Sequence, residues 1–154
     1  MFSLIFPGQG SQTIGMCKDM YLKFDLIKKI FKEADEILNF PITKLIFDGP
    51  KEKLDLTENT QPSIFLVGYS IFSLLKKEYN IDFDKVNYFA GHSLGEYTAL
   101  AAAGHINFSD AIKILKVRGK AMQSSVEKGK GGMIAILGSS IEVIEKLLID
   151  NLNN

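Results

Sequence analysis

Val86-Asn87-Tyr88-Phe89-Ala90-Gly91-His92-Ser93-Leu94-Gly95 is the stretch on which the reading of this chain turns. Val86 to Ala90 reads as a strand, and Thr98 to Ala103 as a helix rich in small residues, stopped by Gly104 in the usual C-terminal position. Gly91-His92-Ser93-Leu94-Gly95 therefore lies on a strand-to-helix turn. A nucleophilic serine needs such a strained turn, and glycines two residues to either side let the neighbouring backbone pass without a Cβ clash. The turn lifts the Ser93 hydroxyl above the sheet and sets it at a helix N-terminus. There the dipole and the free N–H of Leu94 favour developing negative charge. The pattern alone is weak, and its plain alternative is a glycine-bounded turn with a capping serine. The flanking strand and helix favour the nucleophile.

Working outward, residues 2 to 6 form a short apolar run ended by Pro7-Gly8, the pattern of a strand buried on both faces. Pro7-Gly8-Gln9-Gly10-Ser11-Gln12 follows. It is not a dinucleotide fingerprint, since Thr13 stands where a third glycine belongs, and no phosphate-loop lysine comes after it. In a parallel sheet, loops leaving the carboxyl ends of neighbouring strands converge on one crevice, so the N–H of Gln9 can face that of Leu94. Two such donors make an oxyanion hole, each worth a few kcal/mol of barrier.

From Asp25 to Leu38 apolar residues recur at three and four, an amphipathic helix stopped by Asn39 and Pro41. Pro41 to Thr60 is mixed and turn-rich, and Pro62 stands where a first helical residue belongs. Ile64, Gly68, Ile71, Phe72 and Leu75 then stripe a long helix to about Tyr79. Ser109 opens a helix with Ile112, Leu115 and Met122 on one face. A Lys/Gly hinge, Glu127 to Gly132, precedes a strand over Met133 to Leu137 and a helix over Ile141 to Leu148. The order is that of an α/β fold with parallel pairing and a domain boundary at the hinge.

Composition excludes several classes. The 154 residues are 46% hydrophobic and 23% charged, enough for one real core. Eighteen basic residues against eighteen acidic ones give a formal net charge of zero, which leaves no footprint for nucleic acid or an anionic membrane. Apolar runs fall well short of the roughly 20 residues that span a bilayer, and Met1 to Phe6 lacks the marks of a signal peptide. Cys17 stands alone and there are two histidines, so neither an internal disulfide nor a structural zinc site is expected, and the chain is placed in a cytoplasmic setting. Cys17 reads as a small apolar filler. One further count is unusual: Arg118 is the single arginine among the basic residues.

The two glycine-bearing motifs, with Gln61-Pro62 and Val117-Arg118-Gly119-Lys120-Ala121-Met122-Gln123, resemble the malonyl-CoA:acyl-carrier-protein transacylases of type II fatty acid synthesis. The resemblance runs in order over essentially the whole chain. It implies a parallel-sheet, α/β-hydrolase-like acyltransferase core over residues 1–126, with the hinge and the beginning of a small ferredoxin-like subdomain over 127–154. It implies that Ser93 accepts the acyl group, that Gln9 and Leu94 supply the oxyanion-hole N–H groups, that Arg118 holds the free carboxylate, and that Gln61 and His92 line the site. Malonyl-CoA is then the substrate and acyl carrier protein, with its phosphopantetheine thiol, the partner; no metal or resident cofactor is implied.

Physical chemistry supports the arginine. Lysine replaces arginine elsewhere in this chain, and a planar carboxylate is gripped bidentately by a guanidinium fork that an ammonium cannot copy. The family's catalytic histidine lies well downstream of the serine, beyond Asn154, so the chain reads as an N-terminal part of such an enzyme, without its base. His92 adjoins Ser93, but consecutive residues on such a turn point apart, and a site-lining hydrogen bonder is the expected role. His105 reads as an ordinary histidine. Lys113, Lys116 and Lys120 share a helix face, either a solvated face or a meeting point for an acidic carrier protein. Two alternatives stay open: a serine hydrolase of the patatin-like or lipase sort, which has the same turn, and an inert acyl- or CoA-binding piece.

Overall fold

The computed structural model describes residues 2–79, 81–125, 130 and 136–151. Strand β1 (Phe2–Phe6) is followed by five helices: α1 (Lys18–Lys23), α2 (Asp25–Leu38), α3 (Ile42–Asp48), α4 (Lys51–Leu54) and α5 (Thr57–Glu78). A single turn of 3₁₀ helix leads into β2 (Val86–Gly91), then α6 (Gly95–Ala102), α7 (Phe108–Ser124) and α8 (Ile141–Asn151). β1 and β2 pair in parallel, with Leu4 beside Phe89 and Phe6 beside Gly91. Parallel partners need a crossover, and the helices between the two strands supply it. The fold is mixed α/β, mostly helical among the described residues, with a small parallel sheet.

The core is built where α2, α5 and α7 meet. Ile27, Phe31 and Ala34 on α2, Phe65 and Leu66 on α5, and Ala111, Ile112 and Leu115 on α7 are fully buried. Phe65 stacks on Phe108 at 5.6 Å between ring centroids, and Phe31 on Phe47 at 5.5 Å. A second cluster of Phe6, Phe72, Ala99 and Ala102 fastens the sheet to α5 and α6. Phe31→Ala is expected to cost about 3–5 kcal/mol, because the deleted ring leaves a cavity among packed aromatics. Urea unfolding of the variant beside the native chain measures it, and a loss under about 1 kcal/mol would contradict this packing.

Three local expectations need correction. β1 is not buried on both faces. Leu4 and Phe6 face the helices, but Ile5 is 79% exposed, as is Tyr88 at 71% on the same side of the sheet. An apolar run reports affinity for a core, while coverage of the second face takes another packed element. The segment from Pro41 to Thr60 is largely helical, as α3, α4 and the first turn of α5. Pro62 is also not the first residue of its helix but lies inside it. Side-chain anchors start α5 earlier than the proline suggests: Thr60 Oγ1 donates to Leu54 O at 2.6 Å and Asn59 Nδ2 to Lys53 O at 2.9 Å. These offset the hydrogen bond that proline cannot make.

The lysine face of α7 also divides. Lys113 and Lys120 are exposed. Lys116 turns inward, donating to Asn59 Oδ1 at 2.8 Å with its ammonium 4.9 Å from the Phe40 ring centroid. Burial pushes its pKa below the ordinary lysine value, and Glu58 partly opposes that. Most of the hinge expected over 127–132 and most of the strand expected over 133–137 lie outside the described residues.

Candidate active site

Each loop of the site leaves the carboxyl end of a strand. After β2 the chain turns through Ser93 with φ of 55°, a left-handed conformation that non-glycine residues rarely hold without surrounding support. That support is steric. A Cβ on Gly91 would collide with the backbone of Gly95 and Glu96, and one on Gly95 would come within 2.5 Å of Phe6 O and 2.7 Å of Pro7 O. Leu94 is fully buried and anchors the start of α6, while Ser93 stays exposed. The glycine spacing therefore does what the sequence suggests: it lets β2, the turn and the end of β1 pass at backbone contact.

The loop after β1 lies against this turn. His92 N–H donates to Phe6 O at 3.1 Å, and the His92 ring packs directly over Gly8. Within the loop, Ser11 Oγ donates to Gly8 O at 2.9 Å and Gly10 N–H to Gln12 Oε1 at 2.8 Å. Gln12 Nε2 reaches Asp55 Oδ1 at 2.9 Å. That bond and the neighbouring Lys51 hold the Asp55 carboxyl below the usual carboxylate range. No acceptor among the described residues takes the N–H of Gln9 or of Leu94.

Arg118 reaches the Ser93 turn from α7. Its Nη1 donates to Gln61 Oε1 at 2.6 Å and its Nη2 to Ser93 Oγ at 3.2 Å. Gln61 is fully buried, and its Nε2 turns the other way, toward Met122 Sδ at 3.2 Å. The guanidinium carbon also sits 5.9 Å from the Tyr97 ring centroid. Residues twenty-five apart in sequence are thus brought into contact, with the guanidinium braced from behind by a buried amide.

The other candidates fall outside this cluster. The His92 side chain makes no hydrogen bond among the described residues, so it covers Gly8 rather than binding Ser93. His105 borders a separate groove with Asn87 and Tyr88. Burial pushes the Cys17 thiol up to about 11, which leaves it protonated at neutral pH, as a filler would be. A 340 Å³ apolar cavity lies between β1 and α5, lined by Leu4, Phe6, Val67 and Ile71, and neither Ser93 nor Arg118 borders it. Among the described residues there is no metal-binding cluster of His, Cys, Asp and Glu, and no helix is long and apolar enough to cross a membrane.

Sequence reasoning passed over Tyr97 and Thr57, and it named Gly119 and Met122 within the Arg118 motif without giving them a part in the site. Met122 stands four residues after Arg118 on one helix, so its spacing was signal enough, whereas Tyr97 meets Arg118 from α6, a contact between elements. Gly119 is where α7 comes down on α5: a Cβ there would lie 2.6 Å from Thr57 O and from Glu58 Cα. That contact, and the part played by Thr57, depend on knowing that α5 begins at Thr57.

Comparison with known proteins gives the class. Residues 3–152 match the family described as the acyl transferase domain. The malonyl CoA-acyl carrier protein transacylase of Haemophilus influenzae is 41% identical over 143 residues, covering 93% of this chain and 45% of its own length. That of Bacillus subtilis strain 168 is 43% identical over 145 residues, covering 94% and 44%. The crystal structure of acyl-carrier-protein-S-malonyltransferase from Bartonella henselae superposes with a TM-score of 0.89 at 36% identity, over 99% of this chain and 48% of that one. The chain belongs to the acyl transferase domain family, and it spans about half the length of the curated relatives it matches.

Proposed function

We propose that this chain carries the nucleophile and the carboxylate clamp of a malonyl transferase, which moves a malonyl group from malonyl-CoA to the phosphopantetheine thiol of acyl carrier protein. The observation that carries the reading is the Arg118 guanidinium lying on Ser93 Oγ with buried Gln61 behind it. Malonyl has one methylene between its thioester carbonyl and its carboxylate. A group that grips the carboxylate must therefore stand within a few ångströms of the hydroxyl that attacks the carbonyl. The relatives' names support both the acyl group and the acceptor.

In the first half-reaction Ser93 Oγ bonds to the thioester carbon, and the negative charge on the former carbonyl oxygen is met by the N–H groups of Gln9 and Leu94. The C–S bond breaks, CoA leaves as the thiol once protonated, and malonyl-serine remains. In the second, the carrier's thiol attacks that ester and the serine hydroxyl is regenerated. The malonyl carboxylate accepts the Nη2 hydrogen bond in place of Ser93 Oγ, while Gln61 keeps Nη1 and the guanidinium stays charged and in place. No imidazole or carboxylate contacts Ser93 Oγ among the described residues, so the proton acceptor in this reading is the downstream histidine expected from the resemblance. Neither a metal nor a resident cofactor enters these steps. Residues 1–126 form the acyltransferase core, and 127–154 begin the ferredoxin-like subdomain.

Incubating the protein with malonyl-CoA and mapping peptides by mass spectrometry tests this. A malonyl adduct on Ser93, lost in Ser93→Ala, is the expected result. An unmodified Ser93 in a folded protein extended to the length of its relatives would overturn the proposal.

A further inference from the structure

We infer that Thr57 is a positioning residue that ties the Gln9 loop to the helix carrying Arg118; the role rests on the acyl-transfer reading above. Thr57 is the first residue of α5, and three parts of the molecule converge on it. Its Oγ1 accepts a hydrogen bond from Gln9 Nε2 at 3.3 Å. Its N–H donates to Gln123 Oε1 on α7, also at 3.3 Å. Its carbonyl lies under Gly119, where α7 touches α5 too closely for any Cβ.

The first turn of α5 is therefore a platform for both halves of the site. The residue before it, Leu56, offers no side-chain cap, so the first N–H groups must find acceptors elsewhere, and Thr57 finds its own on α7. One turn further on, Gln61 receives Arg118. On the loop side, Gln9 is held by Thr57, while Gln12 binds Asp55 just ahead of the same helix and takes the Gly10 N–H. The peptide that carries the Gln9 N–H is held on its own carbonyl by Ser11 Oγ, and just after it by two tethers that lead to α5. Removing the Thr57 hydroxyl releases one of them and leaves the Arg118–Gln61 pair intact. The geometry separates the two functions: Gln61 sets where the carboxylate is held, and Thr57, with Ser11 and Gln12, sets where the oxyanion donor points.

Thr57→Val keeps the side-chain shape and removes the acceptor, while Thr57→Ser keeps the acceptor. Three quantities are read in each: the rate of Ser93 acylation at saturating malonyl-CoA, the concentration giving half that rate, and the Gln9 and Gly10 amide resonances. In Thr57→Val the rate is expected to fall about tenfold, part of the roughly 10²–10³ lost when an oxyanion donor is removed outright. The half-saturating concentration should stay within about twofold, the mark of an interaction made chiefly in the transition state. Both amides should shift, and Thr57→Ser should restore the rate. A Thr57→Val protein that acylates at the native rate would overturn the inference. So would a fall in rate matched by weaker saturation and not rescued by serine, which is the mark of general loosening. These rates are read in the protein extended to the length of its relatives; if that protein forms no adduct at all, the acyl-transfer reading is what fails, and unmoved Gln9 and Gly10 resonances in Thr57→Val would then sink the tether separately.

Discussion

Arg118→Ala is expected to lower the preference of Ser93 for malonyl over acetyl thioesters about a hundredfold, or roughly 2.7 kcal/mol, almost entirely by slowing the malonyl reaction. Charge-assisted hydrogen bonds to a carboxylate contribute about 1.5–3 kcal/mol, and the partly exposed setting of Arg118 places the effect within that range rather than above it. Acetyl has no carboxylate to lose. The substitution also leaves Gln61 Oε1 buried without the partner that held it at 2.6 Å, so some stability is lost as well. Arg118→Lys separates the two effects: it keeps a positive charge near Gln61 but not the planar fork, and most of the discrimination should still be gone. Acylation rates with malonyl-CoA and acetyl-CoA in parallel give the ratio, and thermal unfolding gives the structural part. A ratio unchanged in both variants would remove the clamp from the mechanism.

Gly95→Ala should disrupt the packing of the site at backbone level, costing at least about 3 kcal/mol. The new Cβ would meet Phe6 O at 2.5 Å and Pro7 O at 2.7 Å, and both are backbone atoms. Phe6 O cannot retreat, because it is the acceptor of His92 N–H, and Phe6 itself is locked between Phe72 and the sheet. Gly104→Ala is the natural comparison. It has φ of +81° and open space around it, so the variant bears only backbone strain, about 1 kcal/mol. Urea unfolding of the two proteins side by side distinguishes steric collision from strain. Equal losses would show that the β1 and β2 ends do not touch as described.

Local pattern made much of this molecule legible. The helix at Asp25–Leu38, the strand ending at Gly91 and the glycine-bounded turn all follow from periodicity and from residues whose conformational needs are short-range. Arg118 stood out because a lone arginine in a lysine-rich chain marks a place where a point charge does not suffice. Errors arose where a local signal competed with distant contacts. Pro62 argues for a helix start, but Thr60 and Asn59 bind the preceding turn and begin the helix at Thr57. Lys116 looks like part of a solvated stripe, yet Asn59 on α5 and Phe40 in the turn between α2 and α3 draw it inward.

What the residues determined by themselves is therefore the kind of chemistry: a hydroxyl on a glycine-flanked turn, a guanidinium, and a loop of free N–H groups. Their assembly is tertiary. Ser93, Gln61 and Arg118 meet only because α7 descends onto α5 at Gly119 while β1 and β2 lie side by side, and no periodicity along one segment encodes the distance between two. Helix and turn preferences act over a few residues, whereas the placement of a donor to within an ångström is fixed by packing summed over the whole core.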